Sequence, residues 1–240
     1  MRDEHQQLLK RLSARFGKAC ATYGLLADGD RVLIGLSGGK DSLLLTELMG
    51  RRAHIHRPRF SVEAVHVRMD NVSYETSTAY LQQFCDDLHI PLHVVTTRFQ
   101  ESASKPPCFP CSWQRRKQLF NLAQELGCNK IALGHHRDDI LHTTLMNLIF
   151  QGRFGTMPAR LRLHKMPLEI IRPLCLIDEA DICRHATLAA YQPVSKACPY
   201  EHDTSRSDVA SLWRQMEHMN PEARFSLWRA LEHAGKLVEE

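Results

Sequence analysis

Three places in this 240-residue chain hold residues whose types and spacing could do chemistry. The first is Ser37-Gly38-Gly39-Lys40-Asp41-Ser42. Its two glycines let the backbone turn sharply and aim successive N–H groups at one anion. Lys40 would add a full positive charge, Ser37 and Ser42 hydroxyl donors, and a helix starting here the positive end of its dipole. The loop is not a Walker A sequence, because G-x-x-x-x-G-K-[ST] does not fit it. A Ser/Gly-rich turn at a strand end is the plain alternative, and phosphate binding is preferred because a strand precedes the loop and a helix follows.

The second place is Gly134-His135-His136-Arg137-Asp138-Asp139. Gly134 permits a close backbone approach, and two adjacent carboxylates at a helix start can coordinate Mg²⁺ or guide a proton. Helix capping by Asp138 or Asp139 would explain the pair as simply. His142 is read as a helix-face residue. The third place is Cys108-Phe109-Pro110-Cys111, where C-x-x-C spacing lets two thiolates reach one metal or cluster. It opens a helix, whose N-terminus favours thiolate over thiol. Cys198, before Pro199, is a third candidate ligand, and His202 stands at C-x₃-H spacing from it. Cys20, Cys85, Cys128, Cys175 and Cys183 are expected to be small packing thiols.

The elements that must position these residues alternate. Strands are expected at 32–36, 60–67, 92–95, 130–133 and 169–172, with helices at 8–16, 43–49, 78–88, 113–126 and 140–150. Asp178 should cap a helix running to about residue 190. This pattern predicts an α/β fold, a doubly wound parallel five-stranded sheet with helices on both faces. Beyond 205 only helices are expected, at 209–219 and 221–237. The division is therefore an N-terminal helical segment (1–28), an α/β domain (29–204) and a small helical C-terminal extension (205–240). In an open parallel sheet, ligands bind at the carboxyl ends of the strands, where the first two motifs fall.

Composition narrows the setting. Hydrophobic residues make up 43% and charged residues 24%, which excludes collagen-like and intrinsically disordered chains. No apolar run approaches the length of a membrane span, and the polar start shows no secretory signal, so a cytoplasmic protein with no membrane partner is expected. Eight cysteines then fit reduced thiols or metal ligands better than disulfides. A net charge of +4 falls short of announcing nucleic acid. Arg51, Arg52, Arg57 and Arg59 form one basic run, and Arg115-Arg116-Lys117 follows the cysteine pair. Arg153, Arg160, Arg162 and Lys165 crowd a Gly/Pro-containing segment expected to be a mobile loop near the site. Trp113, Trp213 and Trp228 are expected in the core.

Together these motifs resemble a known family. Residues 37–42 match the S-G-G-x-D-S signature of PP-loop N-type ATP pyrophosphatases, which cleave ATP between the α- and β-phosphates. Adding Cys108-x-x-Cys111, Arg115-Arg116, Gly134-His135-x-x-Asp138-Asp139, Ile171-Arg172-Pro173-Leu174 and Cys198, the chain from about 31 to 206 resembles the tRNA 2-thiocytidine synthetase (TtcA)-like family. The resemblance implies adenylation of a cytidine C2 oxygen by ATP, then sulfur transfer to give 2-thiocytidine. It implies Ser37, Gly38, Gly39, Lys40, Asp41, Ser42, Gly134 and His135 as the ATP site. Asp41, Asp138 and Asp139 would serve catalysis with Mg²⁺, and Cys108, Cys111 and Cys198 would ligate a [4Fe-4S] cluster. Partners would be tRNA and a sulfur donor such as a cysteine desulfurase, and a homodimer is allowed. Two alternatives stand beside this: a PP-loop enzyme adenylating or thiolating another substrate, and a nucleotide-binding protein stabilised by Zn²⁺ on Cys108, Cys111, Cys198 and His202 without thiolation activity.

Overall fold

Val32 and Ile34 point to one face of a strand and Leu33 to the other, and all three are buried. A strand buried on both faces belongs at the centre of a sheet covered by helices on either side. The computed structural model describes residues 2–55, 57–70, 73–74, 78–98, 108–192, 196–197 and 204–240, with side chains outside 2, 73–74, 108, 196–197 and 204–207. In chain order the elements are α1 (Arg2–Tyr23), β1 (Arg31–Gly35), α2 (Lys40–Ala53), β2 (Ser61–Met69), β3 (Ser73–Tyr74) and α3 (Ala79–Asp87). Then come β4 (Leu92–Thr97), α4 (Cys108–Glu125), β5 (Lys130–Ala132), α5 (Arg137–Gln151), β6 (Arg160–Arg162) and β7 (Glu169–Ile171). The chain closes with α6 (Glu179–Leu188), β8 (Lys196–Ala197), α7 (Thr204–Met219), α8 (Ala223–His233) and β9 (Val238–Glu239).

The main sheet runs β4-β2-β1-β5-β7-β6-β9. The five expected strands are present as β1, β2, β4, β5 and β7, and every pairing among them is parallel. Two short strands extend the sheet to seven: β6 pairs antiparallel with β7, and β9 pairs parallel with β6. The polar segment at 153–165, expected to be a loop, therefore includes a strand. Asn147 Nδ2 donates to the Gly155 carbonyl, Thr156 Oγ1 donates to the Ile140 carbonyl, and Arg160–Arg162 is itself strand. The C-terminal part is helical except at Val238–Glu239, which returns to the sheet edge. Arg160–Arg162 and Val238–Glu239 hold a single apolar residue each, which leaves no strand pattern to read. A separate antiparallel pair joins β3 to β8.

Each face has its own core. Leu33, Val65 and Ile131 pack with Ala123 of α4 on one face. The larger core on the other face joins Val32, Ile34, Ala64 and Ala132 to Leu8, Leu12 and Phe16 of α1, Leu44 and Leu48 of α2, and Trp213 and Trp228 of α7 and α8. The chain passes from β1 outward to β2 and β4, then crosses back to lay β5 on the other side of β1. That reversal opens a crevice at the carboxyl ends of β1 and β5, between the two motif loops.

Candidate active site

The loop after β1 is folded around one hydroxyl. Ser42 Oγ accepts from the Gly38 N–H at 3.1 Å and donates to the Gly39 carbonyl at 2.9 Å, while Ser37 Oγ lies 3.1 Å from it. Gly38 holds φ +87°, a conformation L side chains rarely adopt. Gly39 is the N-cap of α2, so the loop feeds directly into the helix N-terminus. The Gly38 and Gly39 N–H groups bond here to the Ser42 and Ser37 hydroxyls, and these donors at the start of α2 are the ones that could turn to an anion. Lys40 Nζ lies 3.1 Å from Asp41 and 3.0 Å from Glu179 at the start of α6. Burial works against its charge, but Asp41 and Glu179 outweigh that and hold its pKa above the ordinary lysine value.

The loop after β5 lies against this one. A Cβ on Gly134 would stand 3.1 Å from the Asp41 carbonyl carbon and oxygen and from the Ser42 nitrogen. Glycine is required by that contact between two backbones. His136 then caps α5, and its N–H donates to Asp139 Oδ2 at 2.9 Å. The buried His136 ring lies 3.9 Å from Asp41, 3.6 Å from Asp138 and 3.4 Å from Asp139, gathering three carboxylates around one imidazole. His135 Nδ1 is 3.3 Å from Arg172 Nε. Arg172 is buried, which pulls its pKa down to about 10.

The two adjacent carboxylates part company in this structure. Asp138 Oδ1 receives Arg224 NH1 of α8 at 2.7 Å, and its Oδ2 accepts the Glu179 N–H at 2.8 Å, so it caps α6. Burial pushes the Asp138 pKa up, but that N–H and Arg224 outweigh it and hold it below the usual carboxylate value. The Asp138 side chain is only 10% exposed, against 38% for Asp139 and 32% for Asp41. Asp41 and Asp139 are therefore the carboxylates that face the crevice. The capping explanation holds in part for both members of the pair: Asp139 caps its own helix and Asp138 a neighbouring one. Asp178 is the N-cap of α6 as expected, yet its carboxylate goes to Arg15, Arg137 and Arg224.

A cavity of about 150 Å³ adjoins the loop, lined by Gly35, Leu36 and Ser37, by Val65–Val67 of β2, by Leu133, and by Arg115 and Leu119 of α4. α4 begins at Cys108, five residues before the expected start at Trp113, which places Cys108 and Cys111 one turn apart on the helix that lines this cavity. Cys111 is half-buried, and the Cys108 side chain, Cys198 and His202 lie outside what the structure describes. Among the described side chains no three His, Cys, Asp or Glu residues converge on a metal position. Burial pushes the Cys20 and Cys85 thiols up to about 12 and Cys175 higher still, which keeps them neutral. The α4 pair opens a helix followed by Arg115, Arg116 and Lys117. Cys128 is buried too, but Cys183 is exposed on the outer face of α6, against expectation.

Other sequence readings divide. Trp213 and Trp228 are buried, whereas Trp113 is 54% exposed. His142 lies edge-on to Trp213, and burial pulls its pKa down. Arg51 pairs with Glu47 at 2.8 Å and Arg52 donates to the Arg57 carbonyl, the behaviour of an ordinary solvated face. Sequence reasoning passed over His136, although its place three residues before Asp139 is a capping signature. It also missed Arg224 and Glu179, which are remote in the chain and carry no local signal.

A backbone anion loop at the reversal point of a mostly parallel open sheet is the frame of a nucleotide-binding domain. A PP-loop domain model matches residues 5–207. The chain is 32% identical over 241 residues to the tRNA-cytidine(32) 2-sulfurtransferase of Paraburkholderia phymatum, covering 96% of this chain and 70% of that protein. It is 32% identical over 233 residues to the enzyme of the same name from Alkalilimnicola ehrlichii, covering 94% and 74%. It belongs to the PP-loop family of these tRNA-cytidine 2-sulfurtransferases. Among solved structures it resembles the U34-tRNA thiolase NcsA from Methanococcus maripaludis with its [4Fe-4S] cluster, at TM-score 0.79 and 26% identity over 96% of this chain and 79% of that one. No helix among the described residues is long and apolar enough to cross a membrane.

Proposed function

We propose that this protein uses ATP to replace the C2 oxygen of a tRNA cytidine with sulfur, at position 32 as in the relatives' names, giving 2-thiocytidine. One observation carries the reading: α4 bears both cysteines on its first turn and, one to two turns on, Arg115 and Leu119 beside the Ser37 loop. The anion loop and the helix that carries the cysteine pair border one cavity.

The C2 oxygen is a poor leaving group, and adenylation makes it a good one. Amides of Gly38 and Gly39 with the Ser37 and Ser42 hydroxyls hold the phosphates, and Lys40 turns from Glu179 to the departing charge. The cavity between β1, β2 and α4 receives the nucleoside. Asp41 and Asp139 would hold Mg²⁺, which supplies positive charge on the pyrophosphate. The cytidine O2 bonds to the α-phosphorus as the bond to the β-phosphate oxygen breaks and pyrophosphate leaves. Sulfur then bonds to C2, and AMP leaves with the former O2. Cys108, Cys111 and Cys198 would hold a [4Fe-4S] cluster, which with three protein ligands supplies an iron open to a further ligand. A cysteine desulfurase with a thiol reductant, which brings its persulfide sulfur to the sulfide level, is a suitable sulfur source, and Asp138 keeps the site's shape.

Purification without oxygen, with iron, sulfide and zinc counted together, tests the cysteine assignment. About four irons per chain, a ratio expected of a [4Fe-4S] centre, supports it. One zinc and no sulfide would overturn it. Pyrophosphate release that depends on unmodified tRNA tests the ATP half; no release with any tRNA contradicts it.

A further inference from the structure

Trp113 should not be where it is. Tryptophan is highly buried on average, and its position in a helical pattern predicts the core. Trp213, by contrast, is 2% exposed on α7. On α4, Phe109, Trp113, Arg116 and Lys117 share one helix face at i, i+4, i+7 and i+8. Toward the C-terminal end of the helix this stripe packs on the sheet through Phe120 and Ala123, but at its N-terminal end Phe109 and Trp113 are 55% and 54% exposed. Lys117 Nζ sits 5.4 Å from the Trp113 ring centroid, within cation–π reach. Arg116 is exposed beside it, and the one acidic residue of α4, Glu125, lies at the far end.

We propose that Trp113, backed by Phe109 and flanked by Arg116 and Lys117, is a stacking platform for an unpaired base of the RNA substrate. The inference rests on the thiolation reading and adds which part of the RNA is gripped, and by what. Unpaired bases offer aromatic faces beside phosphates, and proteins hold them by combining exposed aromatic rings with positive charge. A duplex keeps its faces stacked inside, so the platform favours a loop. The adjoining face of the same helix lines the nucleotide cavity through Arg115 and Leu119. A base held on Trp113 would fix the position of the neighbouring nucleotide as it enters.

The test uses the full-length protein prepared without oxygen. An anticodon stem-loop RNA and a blunt RNA duplex of equal phosphate number, both end-labelled, are titrated at one salt concentration. Trp113→Ala should weaken stem-loop binding about tenfold and leave duplex binding and ATP affinity as in wild type. Trp113→Phe should retain most of the stem-loop affinity. Equal stem-loop binding by wild type and Trp113→Ala would overturn the platform and leave the thiolation reading standing. Equal weakening for both RNAs, or a Phe variant as weak as the Ala variant, would overturn stacking. Wild-type protein that binds neither RNA would overturn both readings.

Discussion

The phosphate edge and the cysteine edge of this molecule are built in opposite ways. The phosphate edge is closed by the chain itself: Ser42 ties the loop, Gly134 lets two backbones touch, and Arg224 locks Asp138 from α8. The cysteine edge offers two thiols on one helix turn, with its third candidate ligand far along the chain. One edge is preorganised by hydrogen bonds, whereas a metal must gather ligands from separate segments and couples its binding to their folding. Catalysis by positioned charge needs the first kind of construction, and a cluster site tolerates the second.

Separating the edges gives the largest effect. Cys111→Ala should abolish thiolated nucleoside in digested tRNA while tRNA-dependent pyrophosphate release continues; loss of both together would mean that the edges are not independent. Within the phosphate edge, Asp139→Asn should slow AMP formation by about a hundredfold or more with ATP still bound. Asp138→Asn should act instead on thermal stability, since it removes the charge that pairs with Arg224. If Asp138→Asn were the slower enzyme at equal stability, the roles assigned to the two carboxylates would be reversed. Gly134→Ala should weaken ATP binding by roughly tenfold, because its methyl group meets main chain at 3.1 Å that cannot yield easily.

The smallest effect on activity is expected away from both edges. Glu47 of α2 accepts from His185 Nε2 at 2.9 Å and from Tyr191, and pairs with Arg51. Burial opposes its charge, but these partners bring its pKa from 4.5 down to about 2. A depressed carboxylate pKa contributes stability above the unfolded value that is lost as pH falls through the folded one. Stability should therefore decline between pH 4.5 and about 2, and Glu47→Gln should flatten that decline while lowering stability at neutral pH. Chemical denaturation across that range reads the difference, and neutral-pH activity should stay close to wild type.

The same contrast explains what could be read in the sequence. Five parallel strands and the loops after β1 and β5 were legible, because long apolar runs and clustered glycines and carboxylates are local signals. β6 and β9 were not, because Arg-Leu-Arg and Val-Glu hold one apolar residue each. The pair Asp138-Asp139 was visible as a pair, but its division of labour depends on Arg224 and on the Glu179 N–H. Trp113 was misplaced because periodicity identifies a helix without saying which face another element covers.

The central claim is that the cytidine C2 oxygen is activated by adenylation. It is tested most directly with a tRNA carrying ¹⁸O at C2 of the target cytidine, incubated with the holoenzyme, ATP and a sulfur donor. Mass spectrometry of the released AMP should find one ¹⁸O for each 2-thiocytidine formed. Unlabelled AMP alongside thiolated product would contradict the account.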